Sequence, residues 1–144
     1  MKITNVSTTV LHYPEGRAIQ DATIPTPPDG AVGRSQLFVH IETDEGYDGL
    51  GIGQASPGVR EVVENGLKDL LIGQDPFDIE KLWNDMFWRV RGYGRKGLAF
   101  CALSAVDIGL WDLKAKALSL PLYKLLGAYT DSVPIYGSGG WTNF

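Results

Sequence analysis

An alternation of residue types marks the first half of the chain as β structure. Two strands are indicated by positions that alternate with more polar ones, at Val6, Thr8, Val10 and His12, and at Leu37, Val39 and Ile41. A third strand through Leu50 and Ile52 follows the turn residues Asp44-Glu45-Gly46. Because this connection is short, the last two strands are predicted to form an antiparallel hairpin.

The other face of the third strand carries only glycine, at Gly49, Gly51 and Gly53. A strand face without side chains allows another backbone or a ligand to come close. Close packing of a helix is the more common use of such glycines, so we predict a helix against this face, with a ligand as the alternative.

A segment rich in proline and glycine separates the first two strands. It runs from Tyr13 to Arg34 and includes Pro25-Thr26-Pro27-Pro28-Asp29-Gly30. Loops of this length without regular structure are usually functional or disordered. The sequence therefore predicts a mobile flap at this point.

The second half of the chain changes to helical periodicity, and each periodic segment has start and stop residues. The segments run from Pro57, with Ser56 as cap, to Gly73; from Asp75-Pro76 to Val90; from Leu98 to Leu118; and from Pro121 to Gly127. The third is apolar around most of its first half, which predicts a central helix. Strands followed by helices predict an α+β domain, a three-stranded antiparallel meander and then a helical bundle.

Composition narrows the function classes. The chain has 144 residues, of which 44% are hydrophobic and 21% charged, and its net charge is -4. An acidic chain of this kind is a poor binder of nucleic-acid backbones, since that affinity depends on Lys and Arg. No apolar run approaches a membrane span and no signal peptide opens the chain, so we expect a cytoplasmic protein without membrane or nucleic-acid partners.

One motif, Gly92-Tyr93-Gly94-Arg95-Lys96-Gly97, matches the dinucleotide-binding fingerprint. That fingerprint requires a preceding strand, which aims the helix N-terminus at the pyrophosphate. The preceding residues have helical spacing, so nucleotide binding is the less favoured interpretation. We predict a turn between two helices, with Arg89, Arg91, Arg95 and Lys96 solvated or paired with acidic residues.

The remaining titratable residues do not form a catalytic group in the sequence. Asp107 and Asp112 lie five residues apart in the long helix and therefore point away from each other. Each is expected to have a structural partner, such as a backbone amide, an arginine or the neighbouring indole. His12 and His40 are predicted to be half-exposed strand residues, and Cys101 a small buried filler.

A long specific run covers the third helix and the residues after it. It comprises ALSAVDIGLWDLKAK at 102–116, LPLYKLLG at 120–127 and VPIY at 133–136. This run resembles the N-terminal part of the enolase superfamily, mandelate racemase/muconate lactonizing enzyme type. The resemblance implies a capping domain over 1–127, and a linker with the first strand of a truncated (β/α) barrel over 128–144.

The family's chemistry is abstraction of the proton α to a carboxylate, with the enediolate held on Mg2+. The resemblance thus implies part of a Mg2+-dependent lyase or isomerase acting on a small carboxylate. We favour a sugar-acid dehydratase, because Arg17, Asp21, Arg34 and Gln54 make the loops polar. A racemase, epimerase or cycloisomerase is the alternative within the family, and a non-catalytic interaction fragment is the alternative of another class.

In this family the metal ligands and bases belong to later barrel strands. The resemblance therefore implies no catalytic residue and no metal ligand in this chain, which we expect to be inactive alone. The remainder of the barrel would be a second chain or a missing segment, and the complete enzyme is expected to be a homo-oligomer.

The resemblance also indicates substrate-binding residues, because two loops of the cap close over the barrel mouth. These loops correspond to 13–34 and 54–60. The candidates for contact with substrate carboxylate or hydroxyl groups are Arg17, Arg34, Gln54, Ser56, Ser138 and Trp141. Many relatives have Glu where this chain has Gln54, so that contact differs in character.

Overall fold

The computed structural model describes residues 1–13, 34–54 and 56–137. Within them, β1 (Ile3–Tyr13), β2 (Arg34–Thr43) and β3 (Asp48–Gln54) form an antiparallel sheet in the order β1-β2-β3. The predicted strands and the β2-β3 hairpin are confirmed. The flap lies almost wholly outside the described residues.

The helices follow the strands in the predicted order. They are α1 (Pro57–Glu61), which continues through a π-helical segment (Val62–Leu67) into α2 (Lys68–Leu71); α3 (Ile79–Arg89), which ends in a 3-10 turn (Val90–Tyr93); α4 (Leu98–Ala117); and α5 (Leu122–Leu125). The α+β class is therefore confirmed. No helix within the described ranges is long and apolar enough to cross a membrane.

Two predicted helix starts need correction. Asp75-Pro76 does not begin α3, because the Asp75 carboxylate accepts a hydrogen bond from the Phe77 backbone N–H at 2.9 Å, and such a local bond favours a turn. The helix begins three residues further on, at Ile79. Ser56 precedes α1 as predicted, but its side chain makes no capping hydrogen bond.

The hydrophobic core lies between the inner face of the sheet and the helices. Both layers contribute fully buried side chains, including Val6, Leu37, Val39, Ile41, Val63, Leu67, Met86, Val106 and Leu110. Helix α4 contacts β2 and β3 on one side and α1 and α3 on the other. The prediction of a central helix is thus confirmed.

Helix α4 approaches the sheet at the glycine face of β3. A Cβ atom at Gly51 would overlap the Ala105 carbonyl oxygen and lie 2.9 Å from its carbonyl carbon. At Gly53 a Cβ would lie 2.8 Å from the Ala105 Cβ. The prediction that a helix packs closely against these glycines is confirmed.

Residues 133–137, where the resemblance implies the first barrel strand, have neither helix nor strand structure here. Val133 and Ile135 are 68% and 88% exposed. A strand exists through hydrogen bonds to a neighbouring strand, and the described residues place none beside this segment. Its assignment as a linker and first barrel strand, like the domain boundary at 127, stays a prediction.

Candidate functional site

One end of the sheet collects the termini of all three strands. Tyr13 pairs with Arg34 where β1 ends and β2 begins, and Gln36 pairs with Gln54 where β3 ends. The connections 14–33 and 55–56 therefore both leave from this end. The attachment points of the two loops expected to carry specificity are adjacent because the strands are antiparallel.

A cleft of about 200 Å3 opens at this end, between the sheet and the start of α1. It is lined by Val10, His12, Ser35, Ser56, Pro57, Arg60 and Glu61. The His12 Nδ1 and Ser35 Oγ atoms are hydrogen-bonded at 2.7 Å. An imidazole, two hydroxyls, a guanidinium and the Glu61 carboxylate together offer hydrogen-bond donors and acceptors to a polar group.

Arg60 and His12 were not among the residues singled out from the sequence as substrate contacts. Arg60 reaches the cleft because residues 57–60 form the first turn of α1. The predicted second loop is therefore shorter than 54–60. His12 is exposed, and His40 is half-buried with its Nε2 3.1 Å from the Thr9 Oγ1, so the strand placement of both histidines is confirmed.

Gln54 lies in a different groove from Ser56. This groove of about 400 Å3 runs between β3 and the start of α4, lined by Ile52, Gly53, Gln54, Gly97, Phe100, Cys101 and Ser104. The Cys101 thiol points toward the Gln54 Oε1 at 3.7 Å. Cys101 is half-buried at the groove wall and packs against the hydrophobic core, so the predicted filler role is confirmed although the side chain is not fully buried.

Of the other predicted substrate contacts, only Arg34 lies within the described residues. Arg34 begins β2 opposite the end of β1. Arg17, Ser138 and Trp141 lie outside the described residues. Their roles stay predictions.

Asp112 has the structural role expected of it. Its Oδ2 accepts a hydrogen bond from the Leu50 backbone N–H and pairs with Lys116 Nζ, each at 2.8 Å. Lys116 also reaches Asp48 at 3.2 Å. The hydrogen bond to Asp112 is the largest cause of the raised pKa of Lys116. These charges cover the free edge of β3, away from the clefts.

Asp107 was also expected to have a structural partner, but its surroundings differ from those of Asp112. Burial raises the pKa of its carboxyl group above the ordinary value of 3.8. Within the described residues no hydrogen bond or ion pair offsets that burial. The partner predicted for Asp107 is therefore not found in this part of the chain.

The glycine-rich motif at 92–97 connects two helices. Helix α3 and its 3-10 turn stand where a nucleotide-binding motif would have a strand. Gly94 and Gly97 have φ values of 91° and 59°, which favour glycine. The prediction of a helix-to-helix turn is confirmed, and the local geometry lacks the element that a dinucleotide site requires.

Arg95, within this turn, is neither solvated nor paired as predicted. Its guanidinium carbon lies 3.9 Å from the Phe87 ring centroid and 4.5 Å from that of Trp88. Such stacking replaces hydration by cation–π attraction. Arg89, in contrast, pairs with Asp69 at 3.3 Å as expected.

No magnesium site fits the part of the chain that the structure covers. Among its residues, no three His, Cys, Asp or Glu side chains come together in a way that could hold a metal ion. Hard oxygen ligands are what Mg2+ requires. No metal chemistry is therefore derived from these side chains.

The fold is thus a three-stranded antiparallel sheet packed on helices, with the attachment points of two loops at one end of the sheet. Residues 25–127 match the family model described as "Mandelate racemase / muconate lactonizing enzyme, N-terminal domain". The chain belongs to this family.

Relatives with described activities support the same assignment. A 3,6-anhydro-alpha-L-galactonate cycloisomerase from Streptomyces coelicolor is 38% identical over 142 residues, which cover 95% of this chain and 38% of the relative. An L-talarate/galactarate dehydratase from Salmonella typhimurium is 37% identical over 107 residues, covering 72% of this chain and 27% of that enzyme.

Solved structures agree with the fold. A racemase from Streptomyces coelicolor with bound magnesium superposes with a TM-score of 0.83 at 37% identity, covering 93% of this chain and 38% of that one. The talarate/galactarate dehydratase liganded with Mg and L-lyxarohydroxamate gives 0.79 at 33%, covering 92% and 35%. The chain thus spans little more than a third of the length of these relatives.

Proposed function

We propose that this chain is the substrate-selecting cap of a Mg2+-dependent enzyme that abstracts the proton α to the carboxylate of a sugar acid, in the first place a dehydratase. The observation that carries the proposal is the convergence of both loop connections at one end of the sheet. Relatives named as dehydratases of talarate, galactarate, rhamnonate and arabinonate support the substrate class.

In this proposal the cap binds, orients and encloses the substrate. Arg17 and Arg34 would meet carboxylate or hydroxyl groups, and Gln54 and Ser56 would donate hydrogen bonds. Gln54 and Ser56 open into two clefts that flank the same end of the sheet. Ser138 and Trp141 would contact substrate from the barrel rim.

Catalytic bases and Mg2+ ligands would be supplied by barrel residues, so the 144-residue chain is expected to be inactive alone. Structures of relatives with bound magnesium support the choice of metal. The whole enzyme would be a cytoplasmic homo-oligomer. Its substrate would be a small carboxylate.

Cycloisomerisation is the second candidate. Relatives named as cycloisomerases of anhydrogalactonate and galactarolactone are 38% and 35% identical over nearly this whole chain. Both reactions suit a cap that recognises a polyhydroxylated acid. Identification of the reaction products therefore distinguishes dehydration from cycloisomerisation.

A chimeric enzyme tests the proposal. Residues 1–137 would replace the corresponding segment of the Streptomyces coelicolor cycloisomerase, and a panel of sugar acids would be assayed with Mg2+ and after its removal by EDTA. We expect turnover by the chimera that requires Mg2+, and none by the isolated chain. Turnover by the isolated chain at the chimera's rate would refute the proposed division of labour.

Arginine variants of the chimera test the binding role. Arg34→Ala should raise KM about tenfold or more, because a charged hydrogen bond contributes about 1.5–3 kcal/mol. Arg91→Ala is the matched control, since Arg91 is exposed on the 3-10 turn after α3. Equal KM values for both variants would show that Arg34 does not contact the substrate. That result would leave the proposed reaction unaffected.

A further inference from the structure

The structure fixes which end of the Gln54 amide is open to the groove of about 400 Å3 that Gln54 and Cys101 both line. The Cys101 thiol donates a hydrogen bond toward the Gln54 Oε1 atom, with the sulfur 3.7 Å from that oxygen. A side-chain amide has an acceptor oxygen at one end and two N–H donors at the other. With its oxygen turned to Cys101, the exposed Gln54 side chain therefore presents its Nε2 group as a donor.

The contact depends on the close approach of α4 to the end of β3. At Gly53, the residue before Gln54, an added Cβ would lie 2.8 Å from the Ala105 Cβ and 3.7 Å from the Cys101 carbonyl oxygen. A side chain at Gly53 would therefore push α4 away from the strand. Because Gly53 has none, Cys101 in the first turn of α4 comes within reach of the Gln54 amide.

The backbone of Gln54 is held on both sides, so its remaining freedom lies in the side chain. Gln54 pairs with Gln36 of β2, and its carbonyl oxygen accepts a hydrogen bond from the Ser56 N–H at 3.2 Å. The Gln36 amide donates to the Gly53 carbonyl oxygen at 2.5 Å. A long side chain loses rotamer freedom when it binds, so a contact that orders it beforehand lowers the entropic cost of binding.

We propose that Cys101 is a positioning residue for Gln54, and that Gln54 in turn donates a hydrogen bond from Nε2 to an acceptor oxygen of the substrate. The inference rests on the proposed function, in which Gln54 contacts a sugar acid. Carboxylate oxygens only accept hydrogen bonds and hydroxyl oxygens also accept them, so a sugar acid offers acceptors of both kinds. Cys101 itself does not touch the substrate and acts through the amide.

Loss of the thiol has a consequence that loss of packing alone does not have. Without it, the Gln54 amide can turn over and present Oε1, which cannot donate to an acceptor oxygen. Cys101→Ala in the chimera should therefore raise KM about threefold with kcat unchanged, because the amide binds substrate and transition state alike. Cys101→Ser keeps a donor at this position and should bring KM to within about twofold of the wild-type value.

Two further variants test the polarity of the contact and its dependence on Gln54. Gln54→Glu keeps the size of the side chain but removes both donors, and should raise KM about tenfold. In a Gln54→Ala background, Cys101→Ala should change KM no further, since it acts only through the amide. Ser7→Ala is the matched control, because it removes a small polar group from β1 that lines neither cleft. Unchanged KM in Gln54→Glu, or the same effect of Cys101→Ala in both backgrounds, would overturn the proposal.

Relaxation of the Gln54 side-chain 15N nucleus in the isolated 144-residue chain provides a readout that needs no activity. The amide should be ordered in the wild type, in Cys101→Ser and in Ser7→Ala, and more mobile in Cys101→Ala. Equal mobility in the wild type and Cys101→Ala would overturn the positioning role. A chimera without turnover would count against the proposed function instead, while the relaxation measurement still decides whether Cys101 orders Gln54.

Discussion

A single methyl group added to Gly51 should separate the sheet from its central helix. The new Cβ would overlap the Ala105 carbonyl oxygen and lie 3.1 Å from the Gly109 backbone nitrogen. Neither neighbour is a flexible side chain that can rotate away. Relief of the clash therefore requires movement of α4 or of β3.

The cost follows from the weaker packing that this movement leaves between helix and sheet. Carbon atoms pack best at about 3.5–4.0 Å, so α4 has to retreat by at least about 1 Å, which forfeits about half of the dispersion energy across the layer. Overpacking of a core typically costs about 1–3 kcal/mol, and backbone neighbours place this site at the upper end. We expect Gly51→Ala to lower the free energy of unfolding by about 3 kcal/mol.

Urea unfolding followed by circular dichroism measures this change through the midpoint of the transition. Gly92→Ala is the matched control, because a Cβ there meets nothing within 4 Å and the residue has no positive φ. It should change stability by less than about 1 kcal/mol. Equal midpoints for Gly51→Ala and wild type would refute the close-packing argument.

Two carboxylates of α4 offer further predictions. Asp112→Ala removes the acceptor of the Leu50 N–H and should lower the free energy of unfolding in urea by about 1.5 kcal/mol. Asp69→Ala, which breaks an exposed ion pair, is the control and should cost less than about 0.5 kcal/mol. Equal losses would contradict the role of Asp112 in covering the edge of β3. Burial raises the pKa of Asp107, so the native state binds its proton more tightly than the unfolded chain does. The free-energy cost of the buried charge is therefore absent below pH 3.8 and appears as pH rises through the raised pKa. Asp107→Asn should therefore raise the urea midpoint near about pH 7 and leave it nearly unchanged near about pH 3; the same increase at both values would contradict burial as the cause.

The strands and helices were predictable because their signals are local. Residues of β1 and β2 alternate since one face is buried and the other exposed. Helix α4 is apolar around much of its circumference since it packs against the sheet and against other helices. The start of α3 was misplaced because a side-chain bond of Asp75 competes with helix formation over only two residues. Residue spacing alone does not show whether the turn or the helix start is the more stable.

The candidate site was predictable only as a neighbourhood. The resemblance pointed to both loops, and the strand register brings their attachment points together. It did not indicate that Gln54 and Ser56 enter different clefts, nor that Arg60 lines one of them. Those placements depend on where α1 and α4 pack against the end of the sheet.

The amino-acid sequence alone thus determined the order of elements, the fold class and the family, since these follow from residue spacing and from a long specific run. Only the tertiary structure decided which charges are structural and which surfaces are open. The Asp112 carboxylate meets the Leu50 amide across 62 positions of the chain, and Arg95 is stacked on aromatic rings instead of solvated. The first contact comes from the packing of whole elements, and the second from the path of the 92–97 turn back over α3; residue spacing specifies neither.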